Sequence, residues 1–144
     1  MTKTDYQQIQ ELMSRYAYTL DARDYAGIAD CFTTDAEADY PGFTTPLKGH
    51  DEIIGHMKRA LGPLDVTQHM YTNFIIDIDG DAGELSCDII AQHLRKAGGR
   101  QETYLAGGKY KVWVSRTGAG WKMARVAARS VWGIGDRALL PTAG

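Results

Sequence analysis

The chain has 144 residues, of which 44% are hydrophobic and 24% are charged, and this size and composition predict one globular domain spanning residues 1–144. Its net charge of −2 provides no basic surface for neutralising phosphates, which argues against nucleic acid and anionic membranes as partners. The N-terminus lacks the basic and apolar regions of a signal peptide, and no run approaches the ~20 apolar residues of a membrane span, so we expect a cytoplasmic protein.

Three helices are predicted in the first half of the chain. Apolar residues recur at helical spacing between positions 6 and 20, and Thr4 begins a potential capping box ahead of them. A second helix is predicted over residues 25–32, with Asp24 as its N-cap. Helical spacing returns over residues 51–61 and predicts the third helix.

Strand periodicity begins with a short segment at residues 36–40 and dominates the chain from position 66 onward, where the hydrophobic period becomes two. Glycine-containing turns separate four long segments of this kind, which predicts three hairpins. The four long strands are predicted at residues 67–78, 83–96, 100–115 and 120–132.

The order of these elements predicts the fold class. Helices followed by an antiparallel meander indicate an α+β protein in which the helices pack on one face of the sheet. Glycines inside the strands, as in "AGGKYK", allow bulges that curl a sheet. We therefore expect three N-terminal helices packed against a curved antiparallel sheet shaped as a half-open cone or barrel.

Several other features predict no chemistry of their own. Cys31 and Cys87 are far apart and lack CxxC spacing, so we expect buried free thiols, no metal site and no cofactor. The "GIGD" stretch at 133–136 opens no helix, which argues against a dinucleotide site, and no nucleophile motif is present. His50 and His56 are predicted on the solvated side of the third helix.

Alternation along the long strands points two histidines toward the interior. The strand at 83–96 has one face that is apolar except for His93. On the strand before it, His69, Tyr71 and Asn73 share one face, and polar groups on a half-buried strand need partners. At this point two alternatives remain open for these histidines: they are core residues with satisfied hydrogen bonds, or they are catalytic.

Asp21 and Tyr40 are the other candidate catalytic residues. Asp21 follows the first helix, where a carboxylate meets the negative end of the helix dipole, and it is either an exposed corner residue or a partner of His69. As a partner it would fix the imidazole tautomer and make His69 a competent general base near neutral pH. Tyr40 alternates with two alanines and is either a core aromatic or a donor to a substrate carbonyl.

Together these features resemble a known family. The order of "LDARDY", "FTTDAEADYPGF", "TQHMYTN", a later His93 and "VWGIGD" is similar to the SnoaL-like proteins of the NTF2-like superfamily, most of all to the scytalone dehydratase-like proteins. The His-x-x-Thr-Asn piece from His69 to Asn73 also resembles hexachlorocyclohexane dehydrochlorinases. The resemblance covers nearly the whole chain and implies a cone of curved sheet closed by helices around a mostly apolar pocket.

The resemblance implies roles for individual residues. It puts the catalytic dyad on Asp21 and His69, the carbonyl-polarising tyrosine on Tyr40 and the second pocket histidine on His93. Apart from these implied roles, we expect Asn73, Tyr16, Tyr110 and Trp132 to contact substrate.

The chain also departs from the scytalone dehydratase pattern at three pocket positions. Leu20 stands where those proteins have a second tyrosine that holds water. Gly108 and Tyr110 fall where they have a pocket serine and asparagine. We therefore expect a different substrate.

The leading functional prediction is a cofactor-independent lyase of the dehydratase type, acting on a small, largely apolar, cyclic or polyketide-like molecule. His69 would remove a proton next to a carbonyl, Tyr40 would stabilise the enolate, and His93 would protonate the departing hydroxyl. Isomerisation and aldol-type cyclisation begin with the same enolate and are alternatives. A non-catalytic binding protein and a small subunit of a larger oxygenase are further alternatives.

Self-association is also expected. Relatives assemble as dimers or trimers through the open face of the sheet, and Trp113 is predicted on that outward face. We therefore expect a homodimer or homotrimer.

Overall fold

A computed structural model describes residues 1–141 of the chain. It contains three α-helices, six strands and one short 3-10 helix. No helix in the described range combines the length and hydropathy needed to cross a membrane. The helices are α1 (Asp5–Ala22), α2 (Tyr25–Asp30) and α3 (Gly49–Leu61), and the 3-10 helix is Arg137–Leu139. The strands are β1 (Phe32–Asp39), β2 (Leu47–Lys48), β3 (Val66–Asp79), β4 (Ala82–Ala97), β5 (Arg100–Thr117) and β6 (Gly120–Gly135).

The strands form one curved, unclosed sheet in the order β2-β1-β6-β5-β4-β3, with the helices packed against it. This confirms the predicted α+β class and its three successive hairpins. The sheet is mixed, because β1 runs parallel to β6 while its other neighbouring pairs are antiparallel. That parallel pairing and the two-residue strand β2 were not predicted, since the period of a strand does not reveal its partner.

The second helix is shorter than predicted. Asp24 caps it as expected, accepting a hydrogen bond from the main-chain N of Gly27 at 3.0 Å. The helix ends at Asp30, and Phe32 begins β1 with its ring fully buried in the core. Phe32 was assigned to a longer helix because of its apolar spacing, but it is buried as the first residue of a strand.

The core fills the space between the helices and the inner face of the sheet. Alternation along β4 is as predicted, because the side chains from Leu85 to His93 at odd positions are buried. The largest fully buried side chains are Tyr16, Phe32, Ile9, Leu12, Met13, Ile28, Ile53, Leu85, Met123, Val112, Val114 and Val126. Together they bury one face of each helix.

Helix α1 is fixed at its start. Thr4 and Gln7 form the predicted capping box, in which each side chain bonds the other residue's main-chain N–H. The Asp5 carboxylate accepts hydrogen bonds from Trp121 Nε1 at 3.0 Å and from both terminal nitrogens of Arg116 at 2.9 Å. These contacts hold the helix against β5 and β6, and so set where its last turn lies.

Candidate active site

A cavity of about 180 Å³ opens between α1, α3 and the inner face of the sheet. Much of its wall is apolar, from residues such as Leu20, Met57 and Ile89. The lining residues with polar side chains are Tyr16, Tyr40, His56, His69, His93, Tyr110, Arg129, Ser130 and Arg137. Clefts with mostly apolar walls and a few converging polar groups are typical of binding and catalytic sites.

Asp21 and His69 are in direct contact at the edge of this cavity. Asp21 Oδ1 lies 2.7 Å from His69 Nδ1, and its Oδ2 accepts the main-chain N–H of His69 at 3.0 Å. Thr67 Oγ1 donates a third hydrogen bond to Oδ1 at 3.0 Å. Burial alone would raise the pKa of the Asp21 carboxyl, but these hydrogen bonds hold it below its usual value. The carboxylate therefore stays ionised and keeps the imidazole proton on Nδ1.

The corner that presents Asp21 is held by Arg23, which adopts a left-handed conformation at φ 53. Its guanidinium donates to the main-chain oxygen of Leu64 at 2.7 Å, of Leu61 at 3.3 Å and of Asp21 at 3.2 Å. Residues 61–64 end α3 and lead into β3, the strand that carries His69. Arg23 thus ties the helix bearing the carboxylate to the segment preceding the imidazole.

His93 lines the cavity beside His69, with their ring centroids 5.9 Å apart. Its Nδ1 lies 3.0 Å from the main-chain oxygen of Tyr104, an acceptor, so Nδ1 carries the proton. Burial lowers the pKa of His93, which favours the neutral ring and leaves Nε2 as an acceptor. The predicted role as proton donor to a departing hydroxyl does not fit this tautomer, because the nitrogen facing the cavity has no proton to give.

Tyr16 and Tyr40 form a hydroxyl pair in the cavity wall. Their oxygens are 2.9 Å apart, and Tyr40 lies on the cavity side as alternation in its strand predicted. Burial raises the pKa of both phenols well above the usual value. Both hydroxyls stay protonated, so the pair retains one O–H that can donate toward a bound molecule.

Two more tyrosines extend the aromatic wall. Tyr110 lines the cavity, and burial raises its pKa to about 12. Its ring meets Tyr71 edge-on, with centroids 5.2 Å apart, and Tyr71 in turn packs against Tyr16. The fully buried Tyr71 hydroxyl has no partner at hydrogen-bonding geometry within residues 1–141.

Asn73, predicted to contact substrate, lies on the outer face of the sheet. A β-bulge interrupts the pairing of β3 with β4 between Thr72 and Ile75, and Asn73 takes a left-handed conformation at φ 58. Its amide donates to Asp88 Oδ2 at 2.7 Å, on the face opposite the cavity. The prediction that Asn73 shares a face with His69 is wrong, because the extra residue of the bulge reverses the alternation.

Trp132 is displaced from the cavity for the same reason. A second bulge separates the pairs Gly107–Trp132 and Gly108–Ser130, so Val131 is inserted between them. Trp132 is 43% exposed and does not line the cavity. Its indole lies on Gly107, where an added Cβ would be 2.0 Å from the ring. The expectation that Trp132 contacts substrate is therefore wrong.

His56 lines the cavity, although it was predicted on the solvated side of its helix. Its ring stacks on Tyr40 with centroids 5.3 Å apart and meets Phe43 edge-on at 5.0 Å. Burial lowers its pKa, with a smaller contribution from Arg59. A signal was present, because His56 lies three residues after the buried Ile53 and so continues the apolar stripe of α3.

His50, the other histidine predicted in solvent, is half-buried and supports the fold. Its Nε2 lies 3.1 Å from the main-chain oxygen of Phe32.

Ser130 and Arg137 also line the cavity and were not among the predicted site residues. Their positions follow from the second bulge and from the 3-10 helix at Arg137–Leu139, neither of which has a clear sequence signal.

The departures from the scytalone dehydratase pattern have structural correlates. Leu20 lines the cavity one helical turn after Tyr16 and adds apolar surface where a hydroxyl was expected. At Gly108 a Cβ would lie 2.4 Å from the main-chain oxygen of Arg129, so β6 leaves no room for a side chain. Within residues 1–141, no three His, Cys, Asp or Glu side chains are grouped as a metal site requires.

Comparison with known proteins identifies relatives along most of the chain. The family model of the SnoaL-like domain matches residues 1–127. An uncharacterised protein of Mycobacterium tuberculosis (strain ATCC 25618 / H37Rv) is 30% identical over 122 residues, which cover 85% of this chain and 82% of the relative.

Solved structures share the fold. A provisionally assigned aromatic ring hydroxylase from Novosphingobium aromaticivorans is 29% identical with a TM-score of 0.83, covering 94% of this chain and 95% of its own. A provisionally assigned scytalone dehydratase from the same species is 24% identical with a TM-score of 0.81, covering 90% and 86%. A hexachlorocyclohexane dehydrochlorinase is 21% identical with a TM-score of 0.77, covering 89% and 86%.

Proposed function

The chain belongs to the SnoaL-like domain family, and on that premise we propose that it is a cofactor-independent lyase of the dehydratase type. Its substrate is a small, largely apolar, cyclic or polyketide-like molecule with a hydroxyl group and a carbonyl. The observation that carries the proposal is the 2.7 Å contact of Asp21 with His69 Nδ1 at the edge of an apolar cavity. In the neutral imidazole this contact places the proton on Nδ1, so Nε2 is the nitrogen available as a base.

His69 is the general base of the proposed reaction. With its Nδ1 proton held by the Asp21 carboxylate, its Nε2 takes a proton from the carbon next to the substrate carbonyl. The nearby negative charge stabilises the imidazolium that forms, and an electron pair moves from the C–H bond toward the carbonyl oxygen. General base catalysis of this kind contributes about 10²–10⁴-fold to a rate.

Tyr16 and Tyr40 stabilise the resulting enolate. One hydroxyl of the pair donates to the other, and the remaining O–H donates to the enolate oxygen. Both phenols are buried, and a hydrogen bond to a charged oxygen is stronger where water is excluded. Because burial raises both pKa values, the donors keep their protons at neutral pH.

His93 orients the leaving hydroxyl in this mechanism. Its Nε2 accepts the hydroxyl proton in a hydrogen bond and places the C–O bond near His69, whose ring centroid is 5.9 Å away. As the enolate collapses, the C–O bond breaks and the imidazolium of His69 returns its proton to the departing oxygen. Water leaves, a carbon–carbon double bond forms, and His69 is neutral again.

Two related outcomes use the same groups. If the imidazolium returns the proton to another carbon, the reaction is an isomerisation, and if the enolate attacks an internal carbonyl, it is a cyclisation. A ring hydroxylase is a second candidate, supported by the 29% identity to the provisionally assigned hydroxylase. Hydroxylation is a redox reaction, and Asp21 and His69 exchange protons but supply no electrons. That activity would therefore need molecular oxygen and a reductant from another protein.

A substrate screen tests the proposal. Cyclic hydroxy-ketones and polyketide-like compounds are incubated with wild type, His69→Ala and His50→Ala, and products are followed by mass spectrometry. We expect loss of water with wild type and His50→Ala, and a loss of about 10²-fold or more with His69→Ala. Undiminished turnover by His69→Ala would remove this residue from the mechanism. A product heavier by one oxygen, formed when the same screen is repeated with oxygen and an added reducing system, would support the hydroxylase instead.

We also propose that the outer face of the sheet packs against a second copy of the chain. Large apolar side chains are exposed on this face, and burying such a patch is a common basis of self-association. Light scattering should give the mass of a dimer or trimer, and Trp132→Asp should lower it. A monomeric wild type at micromolar concentration would refute this. The exposed residues are Met70, Ile75, Val131, Trp132 and Ile134.

A further inference from the structure

The cavity lining contains basic side chains and no acidic ones within residues 1–141. The basic side chains are arginines and histidines. The acid nearest the chemistry, Asp21, does not line the cavity and is already bonded to His69 and Thr67. The histidines with a lowered pKa are neutral, so the fixed charges of this lining are those of Arg129 and Arg137. A recess whose charges share one sign, with low-dielectric walls, concentrates ligands of the opposite sign. The cavity should therefore prefer an anion over a neutral molecule of the same shape.

Arg137 is the cation best placed to recognise that anion. It lies in the 3-10 helix that follows β6, it lines the cavity, and its guanidinium carbon is 5.8 Å from the centre of the Tyr104 ring. Within residues 1–141 no carboxylate is at ion-pair distance from it, and its one side-chain hydrogen bond is a long one of 3.4 Å to the Leu140 oxygen.

Arg137 also lies at the same end of the cavity as His93. The Tyr104 ring that faces Arg137 is 6.1 Å from the His93 ring. After burial, the positive charge of Arg137 is among the influences that lower the pKa of His93. A ligand that reaches both residues therefore presents an anionic group to Arg137 and a hydroxyl donor to His93 Nε2.

We infer that the ligand of this cavity is a small cyclic hydroxy-carboxylic acid, with its carboxylate on Arg137 and a hydroxyl on His93 Nε2. A guanidinium presents two parallel N–H donors that match the two oxygens of a carboxylate. This inference rests on the proposed function in that it assigns the substrate class of the same cavity. It adds the carboxylate as the group that selects and orients the substrate.

Binding of simple probes tests the inference without any turnover. The full chain is titrated by NMR or calorimetry with 3-hydroxybenzoate, the neutral 3-hydroxybenzamide, and benzoate, which lacks the hydroxyl. We expect wild type to bind 3-hydroxybenzoate about tenfold more tightly than the amide, as one charge-assisted contact predicts. Binding of benzoate should also be weaker than that of 3-hydroxybenzoate.

Variants assign the preference to residues. Arg137→Gln should bind the acid and the amide equally, and Arg137→Glu should prefer the amide. Arg15→Gln, which removes an exposed arginine of α1 from a 3.9 Å ion pair, is the matched control and should keep the wild-type preference. His93→Phe should remove the advantage of 3-hydroxybenzoate over benzoate while leaving the preference for anions.

The outcomes are separable from those of the proposed reaction. Equal affinity of wild type for acid and amide, no binding of the acid at millimolar concentration, or an unchanged preference in Arg137→Gln would each overturn the inference. His69→Ala should still prefer the acid, because His69 takes part in proton transfer and not in carboxylate recognition. A result in which His69→Ala retains turnover would contradict the proposed mechanism and leave the anion preference standing.

Discussion

Asp21 is bonded to both the ring and the main chain of His69, at 2.7 Å from Nδ1 and 3.0 Å from the main-chain N. The ring contact selects the tautomer, and the main-chain contact fixes the distance between the end of α1 and strand β3. The His69 side chain is 11% exposed and that of Asp21 is 25% exposed, so water competes weakly for these bonds. In the proposed mechanism, these two contacts preorganise His69 as the base before substrate arrives.

The first prediction concerns this contact. Asp21→Asn retains the shape of the side chain but offers an amide in place of one carboxylate oxygen, which removes the charge that stabilises an imidazolium. We expect a loss of about 10²–10⁴-fold in kcat, the range attributed to general base catalysis. The measurement is the initial rate on a substrate found in the screen, with the ring nitrogen shifts of His69 followed by NMR.

Thr67→Val is the matched control for Asp21→Asn. It removes the hydroxyl that donates to Asp21 Oδ1 and leaves both contacts with His69 intact. The rate should fall far less than in Asp21→Asn. Equal losses in the two variants would show that packing at this corner, rather than the charge on Asp21, determines the rate.

The second prediction concerns the hydroxyl pair of Tyr16 and Tyr40. Replacing either residue with Phe leaves the other buried hydroxyl without its 2.9 Å partner, which should lower the free energy of unfolding by about 1–3 kcal/mol. The double variant removes both polar groups and should be more stable than the sum of the single losses implies. Urea denaturation of the four proteins measures this coupling, and strictly additive losses would contradict it.

The third prediction is a loss of stability in mild acid. Burial lowers the pKa of His56 and His93 in the folded chain, whereas an unfolded histidine titrates near about 6.5. As pH falls through that value, the unfolded chain binds protons that the folded chain resists. The free energy of unfolding should therefore decrease from pH 7 toward the lower folded pKa values.

Variants separate this effect from general acid denaturation. Replacing His56 and His93 with Gln should make the free energy of unfolding vary less with pH between pH 7 and 5. The lowered pKa of Asp21 acts in a different window, because its stabilising contribution is present above about pH 4 and is lost as pH falls further. Urea denaturation at several pH values measures both effects. If the free energy of unfolding of the double Gln variant changed with pH as steeply as that of wild type, the prediction would be contradicted.

The fourth prediction concerns the bulge at Asn73. Its φ of 58 lies in the left-handed region, which a β-branched residue tolerates poorly. Asn73→Val should lose about 1–2 kcal/mol more of unfolding free energy than Asn73→Gly. Both variants lack the amide that bonds Asp88, so their difference isolates the backbone conformation. Equal stability would indicate that β3 adopts another register without cost.

The bulges explain which predictions about the site failed. Before the bulge in β3, odd positions such as Tyr71 face the core, and after it even positions such as Phe74 and Ile76 do so. Counting in steps of two cannot detect one inserted residue, so Asn73 was placed on the wrong face. The bulge in β6 likewise turns Trp132 away from the cavity in which it was expected to contact substrate. The prediction for His56 failed for a different reason: a polar side chain is typical of a solvated helix face, whereas its helical spacing from Ile53 puts it on the buried side of α3.

Local periodicity and capping chemistry were sufficient to predict the three helices, the four hairpin strands and the inward direction of His69 and His93, because these depend on residues close together in the chain. The pairing of β1 with β6, the two bulges, the contact of Asp21 with His69, and the approach of Arg137 to the cavity join segments far apart in sequence. Their geometry follows from how the helices and the curved sheet pack, which no local pattern contains.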